Sequence, residues 1–266
     1  MPENRQSLIV KVFLSLKFLS MLRRITTLSG AVAMFLICAF LPIDAREVSS
    51  YFSTSWTSFR DELPSDYILS MDFDKYGRLW IGTENGMASF DGTVISKYMR
   101  GTGAVSGNEL NAVLADKFYD RVWFATKRDG LGFYDLRTGN SVFFRHDKAN
   151  PNSPLSDEIT CLRQDDAGNV WFGTYTEGVG KYNVETGTFT AFCPKNVVGM
   201  AEGNVCCIEL APDGKIYAGY FAEGFMVINP VSMTAEQYIR TGKPGCLPDN
   251  GVGCIVIDKD NNVWLR

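Results

Sequence analysis

Three short loops carry residue types that could hold a ligand: Lys127 and Arg128 in the first, Tyr175 and Glu177 in the second, Tyr220 and Glu223 in the third. An aromatic face can cover the apolar face of a bound molecule, and a cation or carboxylate can form charge-assisted hydrogen bonds to its hydroxyls. That is the chemistry of reversible binding. The alternative is that these six residues only close hairpins. Bond-making chemistry has less to work with. His146 is the single histidine, in the polar stretch FFRHDKANPNSP, which excludes any metal site built on two histidines. No Ser or Cys has a base beside it in sequence. Asp74, Asp116, Asp165 and Asp258 recur at one place in a repeat and read as turn caps, not as a paired acid and base. DKDNN at 258–262 echoes the start of a calcium loop, but it lacks the later Glu and falls at a recurrent turn. No catalytic residue, metal or cofactor is assigned, and the chain is read as non-enzymatic.

The loops sit inside a sentence written four times: RLWIGTENGMASFDG, RVWFATKRDGLGFYD, NVWFGTYTEGVGKYN and KIYAGYFAEGFMVIN, with NVWLR beginning a fifth. Aligning the central aromatics, Trp80, Trp123, Trp171, Tyr217 and Trp264, gives spacings of 43, 48, 46 and 47. Repeats of this length belong to solenoids, propellers or arrays. Each unit holds an apolar run, a turn rich in Asp, Gly or Asn, the strand with the aromatic, a loop ending in Gly, a third run, a turn and a fourth run. Four short strands per unit with no helical period predict the blades of a β-propeller. The fold class expected is therefore all-β, with four four-stranded blades and the start of a fifth. The blades are placed at about 61–104, 105–152, 153–200 and 201–246, with a partial one at 247–266.

The first strand of each unit alternates sharply. Ser70, Ala112, Cys161, Cys207 and Cys254 are small, and the next residues, Met71, Val113, Leu162, Ile208 and Ile255, are large. An inner strand squeezed between neighbouring blades has this pattern. It also governs the cysteines. Cys161, Cys207 and Cys254 share a slot with Ser and Ala, so the slot asks for small size. Facing sheets lie about 10 Å apart, beyond the roughly 7 Å that a disulfide spans between Cα atoms. Most thiols are expected free and buried, with Cys193 and Cys246 the one pair placed to bond. The Trp series follows the blade period and is read as core.

Outside the repeats, MLRRITTLSGAVAMFLICAFLPIDA has the order of a secretory signal peptide, with Arg23 and Arg24 before an apolar stretch from Leu28 to Leu41. The stretch is short for a spanning helix, which needs about 20 residues; an uncleaved signal anchor is the alternative. The leader is set at 1–45 with Met21 as the true start. Ile37 precedes Cys38 where a lipid-anchoring signal wants a small residue. Residues 46–60 form a lead-in strand. A net charge of −4 and a pI near 5.2 give no basic surface for nucleic acid.

LPSDYILSMDFDKYGRLWIGTENGMASFDG and LSDEITCLRQDDAGNVWFGTYTEGVGKYN together resemble the two-component regulator propeller repeat. They share a Leu-Pro or Leu-Ser start, an apolar strand, Asp, Gly, the Trp-Ile-Gly-Thr strand and a Gly-apolar exit. The resemblance covers about residues 61–266, and Tyr217-Ala218-Gly219-Tyr220 departs from it most, marking a specialised blade. It implies the periplasmic sensor part of a Bacteroidetes-type hybrid two-component regulator, with seven-bladed rings followed by a membrane helix and a histidine kinase. It also implies an oligosaccharide ligand, with the remaining blades, the kinase and a homodimer mate as partners. This chain would then be a truncated piece, an open arc prone to aggregation. A secreted scaffold for protein contacts, or a propeller lyase or lactonase, are the other readings.

Overall fold

Each repeat forms one antiparallel sheet in sequence order. The computed structural model describes residues 62–266; the expected leader and lead-in strand lie outside them, as does Cys38. Blade one holds β1 (Ile68–Phe73), β2 (Leu79–Thr83), β3 (Gly86–Phe90) and β4 (Ile95–Tyr98). Blade two holds β5 (Leu110–Ala115), β6 (Arg121–Thr126), β7 (Leu131–Asp135) and β8 (Ser141–Phe144). Blade three holds β9 (Ile159–Gln164), β10 (Val170–Thr174), β11 (Val179–Asn183) and β12 (Thr188–Phe192). Blade four holds β13 (Val205–Leu210), β14 (Ile216–Tyr220), β15 (Phe225–Asn229) and β16 (Thr234–Tyr238), and β17 (Ile255–Ile257) pairs with β18 (Val263–Leu265). The first strands β1, β5, β9, β13 and β17 neighbour one another in turn, and among the described residues the sheets close no ring. Among the described residues the only helical turn is a 3-10 turn at Arg100–Thr102, and no helix is long and apolar enough to cross a membrane.

The recurrent aspartate does more than cap a turn. In blade three, Asp165 Oδ1 accepts from the backbone N–H of Ala167 and Asn169, while Oδ2 accepts from Asn169 Nδ2 at 2.9 Å and from the Trp171 indole at 2.9 Å. Asp74 grips Arg78 and the Trp80 indole in the same way, Asp116 grips Arg121 and Trp123, and Asp258 grips Asn262 and Trp264. One carboxylate thus fixes the turn between first and second strands and, for Trp80, Trp123 and Trp171, gives a partner to a ring N–H that would otherwise be buried unpaired. Blade four has Ala211 at the aspartate position and Tyr217 at the tryptophan position: carboxylate and indole are missing together.

The core lies between blades. Trp80 and Met87 of blade one pack with Val105, Leu110, Val113 and Phe124 of blade two. Trp123 and Leu131 pack with Ile159, Leu162 and Phe172 of blade three, and Trp171 and Val179 with Ile208, Ile216 and Met226 of blade four. Trp80, Trp123 and Trp171 are therefore core, as expected, whereas Trp264 is exposed among the described residues. The glycine two residues after the aromatic permits the approach: a Cβ on Gly173 would lie 2.7 Å from Cys161 Sγ and 2.8 Å from Val205 Cγ1 of the next blade. Each of the first four inner strands carries a bulge, at Leu69, Asn111, Thr160 and Cys206. A bulge re-aims its side chain, and Asn111 and Thr160 donate to the carbonyls of Ile159 and Val205 in the following blade.

All six described cysteines are free, so Cys193 and Cys246 do not pair. Cys161, Cys193 and Cys207 are buried, and burial pushes the Cys207 thiol up to about 12. Cys254, expected to be buried with the others, is exposed.

Candidate ligand-binding site

The loops between second and third strands share one construction. Thr83, Thr126 and Thr174 each donate from Oγ1 to the carbonyl of the glycine that ends the loop, at 2.8–3.0 Å, and accept a backbone N–H from inside it. The closing glycine has a left-handed φ: 82° at Gly130 and 81° at Gly224, where an added Cβ would sit 2.2 Å from a carbonyl of the fourth strand. The same glycine ties its loop to the next blade. Gly86, Gly130 and Gly224 donate their N–H to the carbonyls of Asn108, Asp157 and Asn250. The side-chain oxygens of those three residues accept from the backbone N–H of Arg100, His146 and Arg240, just past each fourth strand. Loop, lead-in and fourth-strand exit are therefore locked as one stitch at each of three blade junctions, and Gly203 takes that slot in blade four.

On this frame the equivalent first loop positions are Glu84, Lys127, Tyr175 and Phe221. Tyr175 is 53% exposed and Phe221 71%. Tyr220 is not available to a ligand: it stands where the other blades have the clamping threonine and its ring is fully buried against Val197, Met200 and Met226. Burial, and behind it the Glu223 carboxylate, pushes its phenol up. The register explains the difference, because replacing Thr by Tyr puts two aromatics side by side and the outward one is Phe221. Glu177 is exposed in the loop with Tyr175, and Glu223 is half-buried in the loop with Phe221. Lys127 pairs with Glu109 at 3.0 Å, and Arg128 is exposed beside it. Lys127 and Arg128 meet Arg100, Asn108, Glu109 and Asp129 around a cleft of about 210 Å³ between blades one and two.

A second concavity went unnoticed in the sequence. A groove of about 810 Å³ runs along the first strands, lined among others by Asp72, Asn111, Thr160, Arg163 and Glu209. Arg163 Nε donates to Glu209 Oε2 at 3.1 Å across the junction of blades three and four, and Asp72 Oδ2 accepts from Ala115 N across the first junction. The signal was available: these charges stand two residues after the small slots Ser70, Cys161 and Cys207, on the same strand face. They serve blade-to-blade contact. His146 is exposed in its loop with Nδ1 bonded to the Pro154 carbonyl at 2.8 Å. Among the described residues no group of His, Cys, Asp or Glu side chains could hold a metal ion.

This arrangement of loops on repeated blades has known relatives. Residues 62–85 and 153–176 match the family model of the two component regulator propeller. Those segments are the lead-in, first strand and Trp-bearing strand of blades one and three. The extracellular domain assigned to a hybrid two component system of B. thetaiotaomicron is 28% identical with a TM-score of 0.69, over 76% of this chain and 27% of that one. A second such domain from the same organism gives 18% identity and 0.63, over 75% of this chain and 26% of the other. This chain therefore spans about a quarter of either structure. Virginiamycin B lyase from S. aureus shares the fold at 13% identity and a TM-score of 0.56, over 75% of this chain and 62% of that one. No curated protein matches the chain.

Proposed function

We propose that this chain is an extracytoplasmic ligand-sensing propeller of the hybrid two-component type, which binds an oligosaccharide on the face formed by the loops between second and third strands and relays occupancy to a kinase outside the described residues. The likeness to extracellular domains of hybrid two component systems supports a sensor-like role. The single observation that carries the site is the set of equivalent, outward positions Lys127, Tyr175 and Phe221, variable in chemistry on hairpins of one construction. Repeat folds place recognition on such loops while strands keep the packing. Tyr175 and Phe221 offer ring faces, and Glu177 and Arg128 offer hydrogen bonds to hydroxyls.

The test is calorimetric titration of the full chain with a panel of neutral and acidic oligosaccharides, repeated for Tyr175→Ala. The expected result is a saturable ligand whose affinity falls about five- to tenfold in the variant, the equivalent of about 1–1.4 kcal/mol of lost ring contact. Heat from no sugar in the panel, or an unchanged affinity in the variant and in Phe221→Ala, would remove the loop face as the site.

A further inference from the structure

The cleft between blades one and two differs from its counterparts in a way that hairpin closure does not require. Four cations stand in or beside it: Arg100, Lys127, Arg128 and Arg145. Only two carboxylates face them, and both are engaged, Glu109 with Lys127 and Asp129 with Arg145. The guanidinium groups of Arg100 and Arg128 have no ion pair among the described residues. The surplus of positive charge is local, on a chain whose net charge is −4. The equivalent loops carry Tyr175-Thr176 and Phe221-Ala222, so cations at both loop positions occur at this junction alone among the described blades.

We infer that this cleft is an anion subsite: Arg100 and Arg128 hold the carboxylate or sulfate group of an acidic sugar, while the rest of the ligand lies toward Tyr175. The inference deepens the sensing reading above and rests on it. A planar guanidinium presents paired N–H donors that match an oxyanion, and a fork already exposed and unpaired loses no protein partner on binding. Size agrees. A volume of about 210 Å³ holds several waters at about 30 Å³ each, but falls short of the roughly 300 Å³ at which pockets take a whole small ligand. It suits a charged end group. The Arg100 backbone is fixed by Asn108, whose own amide donates to Asn85 Oδ1 at 3.2 Å, so one wall of the cleft is pre-organised.

Inorganic sulfate is the first probe. The full chain is titrated with sulfate against chloride at matched ionic strength while the arginine Nε–H resonances are followed by NMR. Saturable shifts at Arg100 and Arg128 are expected, weakened about tenfold in Arg128→Gln. They should be unchanged in Arg240→Gln, which alters the same position as Arg100 but in blade four. Shifts that grow linearly with sulfate, or that are alike in wild type and Arg128→Gln, overturn the subsite. An oligogalacturonide and its methyl ester are then competed against sulfate. Displacement by the acid alone supports the inference; equal binding of the ester overturns it and leaves the sensing reading standing. Saturation by sulfate with no response to any oligosaccharide keeps an anion site and overturns the sensing reading.

Discussion

At the scale of single residues the aspartate that bonds the indole governs each blade it occurs in. Oδ1 closes the turn and Oδ2 satisfies the ring, so removing the carboxylate strands several donors at once. Burial acts to raise the pKa of Asp165, and the hydrogen bonds from Asn169 and Trp171 overcome it and hold the pKa below its ordinary value. Asp165→Ala is expected to cost about 2–4 kcal/mol, since each buried donor left unpaired costs about 1–3 kcal/mol. Denaturant unfolding followed by Trp fluorescence measures it. A loss under about 1 kcal/mol would mean that water replaces the carboxylate freely. Asp165→Asn keeps an acceptor for one side and should fall between. The residue-scale error in the sequence reading was Tyr220. Its neighbour Phe221 carries the outward ring, and only the position of the clamping threonine in the other blades distinguishes them.

At the scale of the element, the spacing between blades depends on the glycine of the second strand. Gly82, Gly173 and Gly219 let the next blade's Val113, Val205 and Val252 settle onto bare backbone, whereas blade two uses Ala125 and already tolerates a methyl. The contacts grade the outcome. A Cβ at Gly82 meets its nearest neighbour at 3.0 Å, but at Gly173 two atoms lie within 2.8 Å. Gly173→Ala should therefore destabilise by about 1–3 kcal/mol, lowering the melting temperature by about 2–4 °C per kcal/mol, and Gly82→Ala by clearly less. Equal shifts in the two melts would sink the packing argument. The blade itself was legible because strand alternation, turn residues and a fixed period agree with one another. The Trp–Asp bond was not, since the partners belong to a turn and a strand that sequence reading treats separately. The cationic cleft was hidden for a related reason: Arg100 follows the fourth strand of one blade and Arg128 lies in a loop of the next, so only folding brings them together.

For the whole molecule, the same carboxylates set the acid limit. Burial tends to raise Asp74 and Asp116, but bonds from Trp80 and Arg78, and from Gln164, Arg121 and Trp123, lower them; Asp258 is brought to about 2 by the Trp264 indole and Asn262. A folded value below the ordinary 3.8 means that the stabilisation is present above pH 3.8 and lost as pH falls through the folded values toward 2. The thermal midpoint should be flat with respect to these groups between about pH 5 and 8 and drop steeply below 3.8. Melts at stepped pH check this, and Asp74→Asn with Asp116→Asn and Asp165→Asn should flatten the drop. A midpoint unchanged down to pH 2 would show that the clamps contribute nothing to folding.

Blade four gives these tests a reference inside the same molecule. Because Ala211 and Tyr217 stand where its sister blades keep Asp and Trp, it is a double substitution already carried by the chain, with both partners removed and no lone charge left behind. Amide exchange in its first turn, set beside that of blade three in one sample, compares a clamped and an unclamped copy of the same turn under identical solvent, temperature and history. The repeat thus turns a comparison normally made between two purified proteins into a difference between two segments of one.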